Sequence, residues 1–342
     1  MKKVVCFGEI MLRLSPPGFE RFLQSPKFSA TFGGGEANVA VSLSRFGHES
    51  HYVTRLPAHA VGEAVIKSLR AEGVRIEHIQ RGGDRVGIYF AETGASQRGG
   101  VVIYDRAHSA IADLDPASIR WPVLFSGAHW FHTTGITPAL GPRPAACVKE
   151  ALITAKSLGL LVSFDLNYRA KLWTPEQAQA VVKPLMSNVD VLIANEEDMQ
   201  KVLGVEVEEV DVHGGKVDAE RYRPVAERVS REFGPALVAI TLRESKSASE
   251  NGWSAALYDR HANAFHVSRS YDVTLVDRIG GGDSFAAGLI HGLLAGRLPD
   301  QALEFAVAAS ALKQTIPGDF NRVSAAEVER LLQGDGSGRV LR

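Results

Sequence analysis

Strand-like and helix-like segments alternate between residues 128 and 203, and this alternation constrains the fold more than any other feature of the sequence. Short apolar runs are followed by longer stretches in which apolar residues recur at helical spacing. The predicted strands span residues 128–133, 160–164 and 189–194, and the predicted helices span 144–158, 175–186 and 195–203. Such alternation predicts an α/β fold with a mostly parallel sheet and helices on both faces. Its ligands should bind beyond the carboxyl ends of the strands.

Four short strand-like segments in the first third of the chain have a different character. They span Leu12–Ser15, Arg75–Ile79, Val86–Glu92 and 101–106, and no helix separates the last three. We predict that they form a small sheet inserted into the α/β domain. Alternation places Tyr89 opposite the apolar Ile88 and Phe90, and it places Tyr104 on the same face as Arg106. The alternative interpretation is an ordinary half-exposed sheet with surface aromatics.

A run of three glycines, Gly280-Gly281-Gly282, is followed by Asp283 and then by an apolar helical pattern. Consecutive glycines permit positive φ angles, and the first turn of a helix has unpaired N–H donors. These features favour an anion site, with phosphate as the obvious ligand. Asp283 is also a common N-cap residue, so a plain glycine turn closed by its carboxylate is the alternative. Neither a Rossmann fingerprint nor a P-loop is present here.

Other polar residues follow predicted strands. Asp165, Asn167 and Arg169 come after the strand ending at residue 164, and Asn195 follows the strand ending at 194. Arg243 and Ser245 come after a strand predicted at 236–242. Loop polarity and helix capping would account for such residues, but the carboxyl ends of parallel strands are also where ligands bind.

The rest of the chain offers fewer signals. Asn251-Gly252 predicts a tight hairpin turn between antiparallel strands. The acidic stretch 205–217 predicts a surface loop, and the glycine-rich residues 334–342 predict a flexible tail. We find no internal repeat and no interdomain linker, so residues 1–333 are expected to form a single domain.

Composition excludes several classes of function. The 342 residues carry a formal net charge of −1, which argues against nucleic acid or an anionic membrane as the main partner. No apolar run is long enough to span a bilayer and no signal peptide precedes the first strand, so we expect a cytoplasmic protein. The two cysteines, Cys6 and Cys147, exclude a disulfide framework.

The stretch from Asp277 to Ile290 resembles the C-terminal signature of the PfkB (ribokinase-like) carbohydrate kinases. The glycines at residues 33 and 34, with Asn38 and Ala40, also fit the Gly-Gly-x-x-x-Asn-x-Ala pattern near the N-terminus of that family. Arg278 stands where the wider family commonly has threonine. The resulting Asp-Arg-Ile-Gly-Gly-Gly-Asp is similar to the variant in the family's 2-keto-3-deoxygluconate kinase branch.

This resemblance implies a ribokinase-like three-layer α/β/α fold in which the small sheet is a lid over the sugar. It implies that Gly280, Gly281 and Gly282 form an anion hole and that Asp283 is the catalytic base. The implied substrate-binding residues are Gly34, Asn38, Tyr89, Tyr104, Arg106, Arg169, Asp283 and Asp319, although a turn role would also explain Asp319. The implied ATP-binding residues are Asn167, Asn195, Arg243, Ser245, Gly280 and Gly282.

The family commonly has Asn-x-x-Glu where this chain has Asn195 to Asp198, a motif that helps to organise Mg²⁺ and phosphates. Because aspartate is one methylene shorter, we expect Asp198 to act on the metal through water. ATP and Mg²⁺ are the implied cofactors, and the need for a monovalent cation is left open.

Two guanidiniums, Arg106 and Arg169, suit a carboxylate through charge-assisted hydrogen bonds, which favours a sugar acid over a neutral sugar. The resemblance therefore implies ATP-dependent phosphorylation of the terminal hydroxyl of 2-keto-3-deoxy-D-gluconate to its 6-phosphate. A kinase of the same fold acting on fructose or ribose is the first alternative, and a non-catalytic sugar- or nucleotide-binding regulator is the second. An apolar outer lid face would suit a homo-oligomer formed through the lid.

Overall fold

The structure is a computed structural model that describes residues 1–206, 219–334 and 336. The surface loop predicted at 205–217 and the tail predicted at 334–342 therefore lie almost entirely outside the described residues. None of the helices within the described ranges combines the length and the apolar character needed to cross a membrane.

The strands are short and several are fully buried. In chain order they are β1 (Lys3–Phe7), β2 (Met11–Ser15), β3 (Ser29–Gly33), β4 (Glu49–Leu56), β5 (Ile79–Arg81), β6 (Ile88–Glu92), β7 (Val101–Asp105), β8 (Trp130–Thr134), β9 (Leu161–Asp165), β10 (Val191–Ala194), β11 (Leu237–Ser245), β12 (Glu250–Asp259), β13 (Ala264–Val267) and β14 (Tyr271–Thr274).

The helices connect these strands. They are α1 (Gly35–Arg45), α2 (Ala60–Ala71), α3 (Trp121–Leu124), α4 (Ile136–Ala139), α5 (Pro142–Ser157), α6 (Pro175–Val182), α7 (Glu196–Asp198), α8 (Tyr222–Phe233), α9 (Gly281–Leu294), α10 (Pro299–Lys313) and α11 (Ala325–Leu332). Local sequence sets several of their ends. Thr174 and Ser324, for example, begin α6 and α11 with complete capping boxes.

The main sheet is mostly parallel, as the alternation predicted. Its strand order is β13-β12-β11-β10-β9-β8-β1-β4-β5, with β14 paired to β12. Every pair from β11 to β5 is parallel. Only β12 pairs antiparallel, with β11, β13 and β14. The carboxyl ends of the parallel strands therefore meet along one edge.

The core consists of two apolar clusters on opposite faces of this sheet. Val5 and Phe7 of β1 belong to one cluster, with residues of α5, α6 and α8. Val4 and Cys6 belong to the other, with residues of α1, α2, α9, α10 and α11. Because neighbouring strand residues point to opposite faces, this division gives the predicted α/β/α layering.

The helices α9 and α10 pack unusually closely. A Cβ atom on Gly288 would lie 2.7 Å from the Cα atom of Ala306, and one on Gly292 would lie 2.7 Å from the Cα atom of Ala302. Larger side chains would force the helices apart. This contact fixes α10 against the start of α9, where the glycine run lies.

The small sheet has the order β3-β2-β6-β7. The prediction that residues 75–79 belong to it was wrong, because Arg75 bridges to His51 of β4 and Ile79 pairs with Thr54 in the main sheet. The sequence prediction also missed β3, whose pairing with β2 ends at Gly33. A short alternating segment shows its own periodicity but not its partner, so sequence alone could not place either strand.

The predicted hairpin turn at Asn251-Gly252 was also wrong. Both residues lie within β12, where they pair with Ser245 and Glu244 of β11. The chain reverses earlier, and the N–H of Lys246 donates to the carbonyl of Glu250 at 3.2 Å.

Candidate active site

A cleft with a volume of about 1280 Å³ lies between the small sheet and the carboxyl ends of the main-sheet strands. Every residue predicted for the site lines it. Beneath the small sheet lies the lid half of the cleft: Gly34, Asn38, Tyr89, Tyr104, Arg106 and Asp319. On the other side lies the β11 half: Asn195, Asp198, Arg243, Ser245 and Arg278. The glycine run, Asp283, Asn167 and Arg169 lie on the lining that the two halves share.

The glycine run forms the entrance of α9. Gly280 has a φ of 84° and precedes the helix, which begins at Gly281. A Cβ atom on Gly280 would lie 2.2 Å from the carbonyl oxygen of Asp319, so only glycine fits here. The N–H of Gly281 donates to the carbonyl of Arg278 at 3.3 Å, whereas the N–H of Gly280 has no acceptor in the described part of the chain. The loop thus presents an unpaired amide to the cleft.

Asp283 is not the N-cap of α9, and the capping interpretation was wrong. It lies in the first turn, and its Oδ2 accepts a hydrogen bond of 2.6 Å from Nδ2 of Asn38. The Oδ1 of Asn38 in turn accepts from the N–H of Gly34 at 3.3 Å. Asn38 therefore joins the two glycine motifs, which are more than two hundred residues apart in sequence.

Burial raises the pKa of Asp283 to about 6, although the hydrogen bond from Asn38 opposes the shift. The position of this residue at a helix N-terminus would by itself favour the ionised carboxylate and make it a weaker base. For the pKa of Asp283, the loss of hydration on burial outweighs the influence of the helix N-terminus. The carboxylate is consequently ionised at pH 7 and still more basic than an exposed aspartate.

A buried ion-pair network supports the lid half. Oδ1 of Asp319 accepts from Nη1 of Arg13 at 2.8 Å, and its Oδ2 accepts from the hydroxyl of Tyr89 at 2.6 Å. Nη2 of Arg13 lies 2.7 Å from Oδ2 of Asp277. Asp319 lies in the bend between α10 and α11, but its side chain is buried and paired, so it does more than form a turn. Arg13 was missed, and its only sequence signal is a charge within an otherwise apolar strand segment.

Arg106 and Arg169 differ in their surroundings. The guanidinium of Arg106 forms a buried ion pair with Glu9, whose other carboxylate oxygen accepts from Ser109. Arg169 donates from Nη1 to the carbonyl of Tyr168 at 2.8 Å and has no carboxylate within ion-pair distance among the described residues. The two guanidiniums are therefore not equally available to bind a carboxylate, because Arg106 already has an ion-pair partner and Arg169 has none among the described residues.

Asp198 is held by the backbone on both sides. Its Oδ1 accepts from the N–H of Tyr168 at 2.9 Å, and its Oδ2 accepts from the N–H of Asn195 in a capping box. Burial raises its pKa to about 6. The neighbouring Asp165 is buried, and its carboxylate has no hydrogen-bond partner among the described residues. Burial, followed by the charges of Asp198 and Asp283, raises its pKa strongly. The sequence marked Asp165 as a polar residue at the carboxyl end of a strand but gave it no role.

The described residues fit Mg²⁺ only in part. They contain no group of three or more acidic, histidine or cysteine side chains that could hold a metal by themselves. The partnerless carboxylate of Asp165 beside Asp198 nevertheless provides the oxygen ligands that Mg²⁺ prefers. This ion usually keeps several waters and takes one or two carboxylates together with phosphate oxygens, which matches such a sparse site.

Two exposed arginines, Arg243 and Arg278, line the β11 half. Neither forms an ion pair with any described residue. Local desolvation and then the charge of Arg243 lower the pKa of Arg278. Because the two positive charges repel each other, binding of an anion between Arg243 and Arg278 would be favourable. The sequence analysis identified Arg278 as a departure from the common threonine and as part of the 2-keto-3-deoxygluconate kinase variant of the motif, but gave it no role.

The geometry can be compared with known proteins. Residues 1–323 match the family described as pfkB family carbohydrate kinase. The chain belongs to this family. The ribokinase-like fold predicted from the two glycine motifs is thereby confirmed.

Several pfkB family relatives cover nearly the whole chain. The crystal structure of a 2-dehydro-3-deoxygluconokinase from Thermotoga maritima has a TM-score of 0.94 and 49% identity, covering 98% of this chain and 100% of that one. A 2-dehydro-3-deoxygalactonokinase from Haloferax volcanii is 34% identical, covering 98% of each chain. A 2-dehydro-3-deoxygluconokinase from Thermoproteus tenax is 30% identical, covering 97% of this chain and 95% of that one.

Proposed function

We propose that the protein transfers the γ-phosphoryl group of ATP to the terminal hydroxyl of 2-keto-3-deoxy-D-gluconate, giving the 6-phosphate. One observation carries the proposal: the carboxylate of Asp283 lines the cleft at the entrance of α9, beside the unpaired amide of Gly280. A base and an anion hole are thus adjacent. The similar proteins from Thermotoga maritima, Haloferax volcanii and Thermoproteus tenax, which bear names of sugar-acid kinases, support the choice of substrate class.

Asp283 acts as the base in this proposal. The hydroxyl becomes acidic only as its bond to phosphorus develops, so an acceptor that is already ionised at pH 7 suffices. Asn38 fixes one carboxylate oxygen through the 2.6 Å hydrogen bond and leaves the other for the substrate. The residue is therefore oriented before substrate arrives, and orientation is a large part of catalysis in phosphoryl transfer.

The N–H groups at the start of α9 stabilise the charge on the migrating phosphoryl group. Removing one preorganised donor of this kind costs about 3–4 kcal/mol of barrier in other enzymes. Arg243 and Arg278 supply positive charge on the β11 side, where they face the phosphates of the nucleotide. Asn167, Asn195 and Ser245 complete the proposed ATP site.

ATP and Mg²⁺ are the proposed cofactors. Mg²⁺, when bound, neutralises charge on the phosphate oxygens. Asp165 would hold it, and Asp198 would act through water because both of its oxygens already accept backbone N–H groups.

Arg169 is the proposed partner of the sugar acid's carboxylate, since its charge is unpaired. Arg106 is instead a fixed wall of the site, together with Tyr89 and Tyr104, whose rings lie 6.0 Å apart. A neutral sugar, such as fructose or ribose, is the second candidate. In its favour, Arg106 is already paired with Glu9, so only one of the two guanidiniums expected to bind a carboxylate is free.

A coupled ADP-release assay tests the proposal. We expect turnover with 2-keto-3-deoxy-D-gluconate to exceed turnover with fructose or ribose. Arg169→Ala should lower kcat/KM for the acid by about 10- to 100-fold, the usual value of a hydrogen bond to a charged group, and should change the neutral sugars much less.

Arg143→Ala is the matched control, because Arg143 also donates to a backbone carbonyl but lies outside the cleft. Equal losses for acid and neutral sugars in Arg169→Ala would favour the neutral-sugar candidate. Binding of ATP and sugar without ADP release would favour a non-catalytic regulator.

We also propose a homo-oligomer formed through the outer face of the lid. Val101 and Ile103 of β7 are 38% and 47% exposed there, and Phe28 beside β3 is 40% exposed. Apolar side chains grouped on one sheet face suit a protein partner, and a second copy is the simplest one. A cytoplasmic location stays a prediction.

A further inference from the structure

Lys313 is a fully buried cation to which the proposed mechanism assigns no role. It is the last residue of α10 and its side chain is 0% exposed. Its Nζ donates to the carbonyl of Asp277 at 3.0 Å and also to the carbonyl of Ile279. An ammonium group without solvent is costly unless it is fully engaged, so its position directly under the glycine loop calls for an explanation.

The two carbonyls belong to the peptides that lead into the glycine run. A trans peptide is planar, and its C=O and N–H point to opposite sides. Holding the carbonyl of Ile279 from below therefore directs the N–H of Gly280 away from Lys313. This is the amide that has no acceptor among the described residues and that lines the cleft.

A second residue of α10, Ser310, also holds a peptide of the glycine loop from below. The hydroxyl of Ser310, one turn before Lys313, donates to the carbonyl of Gly281 at 2.7 Å. By the same planarity, this bond directs the N–H of Gly282. The tight packing of α10 against α9 through Gly288 and Gly292 keeps both contacts in place.

The surroundings of Lys313 are also those of a cation site. Backbone carbonyl oxygens are the ligands that proteins use to replace the hydration shell of potassium. Here two carbonyls converge, and the charges of Asp277 and Asp319 favour a cation at this point, although the charge of Arg13, which pairs with both carboxylates, opposes it. Burial nevertheless lowers the pKa of Lys313 overall, as expected for an enclosed ammonium.

We propose that Lys313 is a built-in cation that takes the place of a bound monovalent ion beneath the anion hole, so that catalysis does not require potassium or sodium. Its charge polarises the peptides of Asp277 and Ile279 and strengthens the N–H donors on their other side. Lys313 is thus a positioning residue, since it acts on the phosphoryl group only through the loop. The inference rests on the proposed phosphoryl transfer.

The first test uses the unaltered protein. Turnover is measured with tetramethylammonium as the only monovalent cation and then with added potassium, sodium or ammonium chloride at constant ionic strength. We expect kcat to change by less than twofold. A clear requirement for any small monovalent cation overturns the proposal.

The second test compares Lys313→Ala with Lys313→Met. Alanine leaves a space the size of the missing side chain, whereas methionine fills most of it without charge. Both should lose about 100- to 1,000-fold in kcat, the range for a removed oxyanion-hole donor, with KM for the sugar changed little. Potassium or ammonium should restore part of kcat in Lys313→Ala and none in Lys313→Met.

Lys156→Met is the matched control, because Lys156 pairs with Asp190 far from the loop. It should keep wild-type kcat and show no response to cations. Full kcat in Lys313→Ala, or equal cation rescue of both Lys313 variants, overturns the proposal. If the variants do not fold, the wild-type cation titration still decides.

Failure of the proposed function is separable from failure of this inference. If only a neutral sugar is phosphorylated, the same titration is run with that sugar, and cation independence still supports the role of Lys313. If no sugar is phosphorylated, ATP affinity is measured by calorimetry in tetramethylammonium and in potassium. Equal affinities support the built-in cation, and potassium-dependent affinity overturns it.

Discussion

The two halves of the cleft differ in how their charged groups are partnered. In the lid half, Arg13, Asp319 and Tyr89 form a closed network, and Arg106 is paired with Glu9. In the β11 half, Arg243 and Arg278 have no ion-pair partner among the described residues and are exposed to solvent. In the lid half the protein itself supplies partners for the charged groups, whereas in the β11 half a ligand can supply them.

This difference has a physical basis. A buried charge without a partner costs several kcal/mol, so the lid half must satisfy its charges within the fold. Exposed arginines remain hydrated and cost the fold little when unpaired. We therefore expect the lid half to recognise substrate by fixed shape and hydrogen bonds, and the β11 half to attract a highly charged phosphate chain electrostatically.

The largest expected effect is the loss of kcat on substitution of Asp283, which lies on the lining that the two halves share. Asp283→Asn keeps the shape and the contact with Asn38 but removes the base. We expect kcat to fall by about 10²- to 10⁴-fold, the usual contribution of a general base, with ATP and sugar binding retained. Steady-state kinetics and calorimetry measure the two quantities separately. Retention of most activity would remove the assignment of Asp283 as base.

The second prediction tests the comparison directly. Arg13→Met leaves the carboxylates of Asp319 and Asp277 without their buried partner. We expect the free energy of unfolding to fall by about 3–5 kcal/mol, as when one member of a buried ion pair is removed. Chemical denaturation monitored by fluorescence measures the change.

Arg278→Met is the matched substitution in the β11 half. We expect it to change the free energy of unfolding by less than about 0.5 kcal/mol, because the side chain is exposed and has no ion pair. Its KM for ATP should instead rise about tenfold, in line with one charge-assisted bond. Similar losses of stability in both variants would contradict the comparison.

The smallest expected effect concerns pH. Because burial raises the pKa of Asp283 to about 6, kcat/KM should fall about tenfold for each pH unit below 6. The loss should not reflect unfolding through this group. A carboxyl whose folded pKa lies above its unfolded value adds stability below the unfolded pKa and loses it as pH rises through about 6.

The control for the pH profile is the residual activity of Asp283→Asn, which should be flat through this range. A remaining acidic limb in that variant would show that other carboxyl groups of the cluster contribute to the titration, among them Asp198, whose pKa is also raised to about 6. The neighbouring carboxyl groups interact, so a measured pKa belongs to the cluster rather than to a single residue.

Much of the fold could be predicted because its signals are local. The alternating segments predicted the parallel sheet, and the glycine run before Asp283 predicted a helix entrance that the structure places at Gly281. The pairing of 79–81 with β4 and the position of Asn251-Gly252 inside β12 could not be predicted. Strand partners and turn positions depend on packing that a short segment does not encode.

The same distinction between local sequence signals and long-range packing holds for the residues of the cleft. The family resemblance implied that Asn38 and Asp283 belong to the site, but not that these two share a hydrogen bond. The roles of Arg13 and Lys313 had no local signal, since a lone charged residue in an apolar segment is ambiguous. Asp165 was marked only by its position directly after a predicted strand. Only the packed structure shows what each one contacts.

The sequence by itself determined the alternating layers and the glycine turns, because periodicity and backbone freedom belong to neighbouring residues. The tertiary structure alone decided which charges are paired and which are free. Pairing depends on burial and on residues hundreds of positions apart, such as Arg13 and Asp319, and burial exists only after the chain has folded.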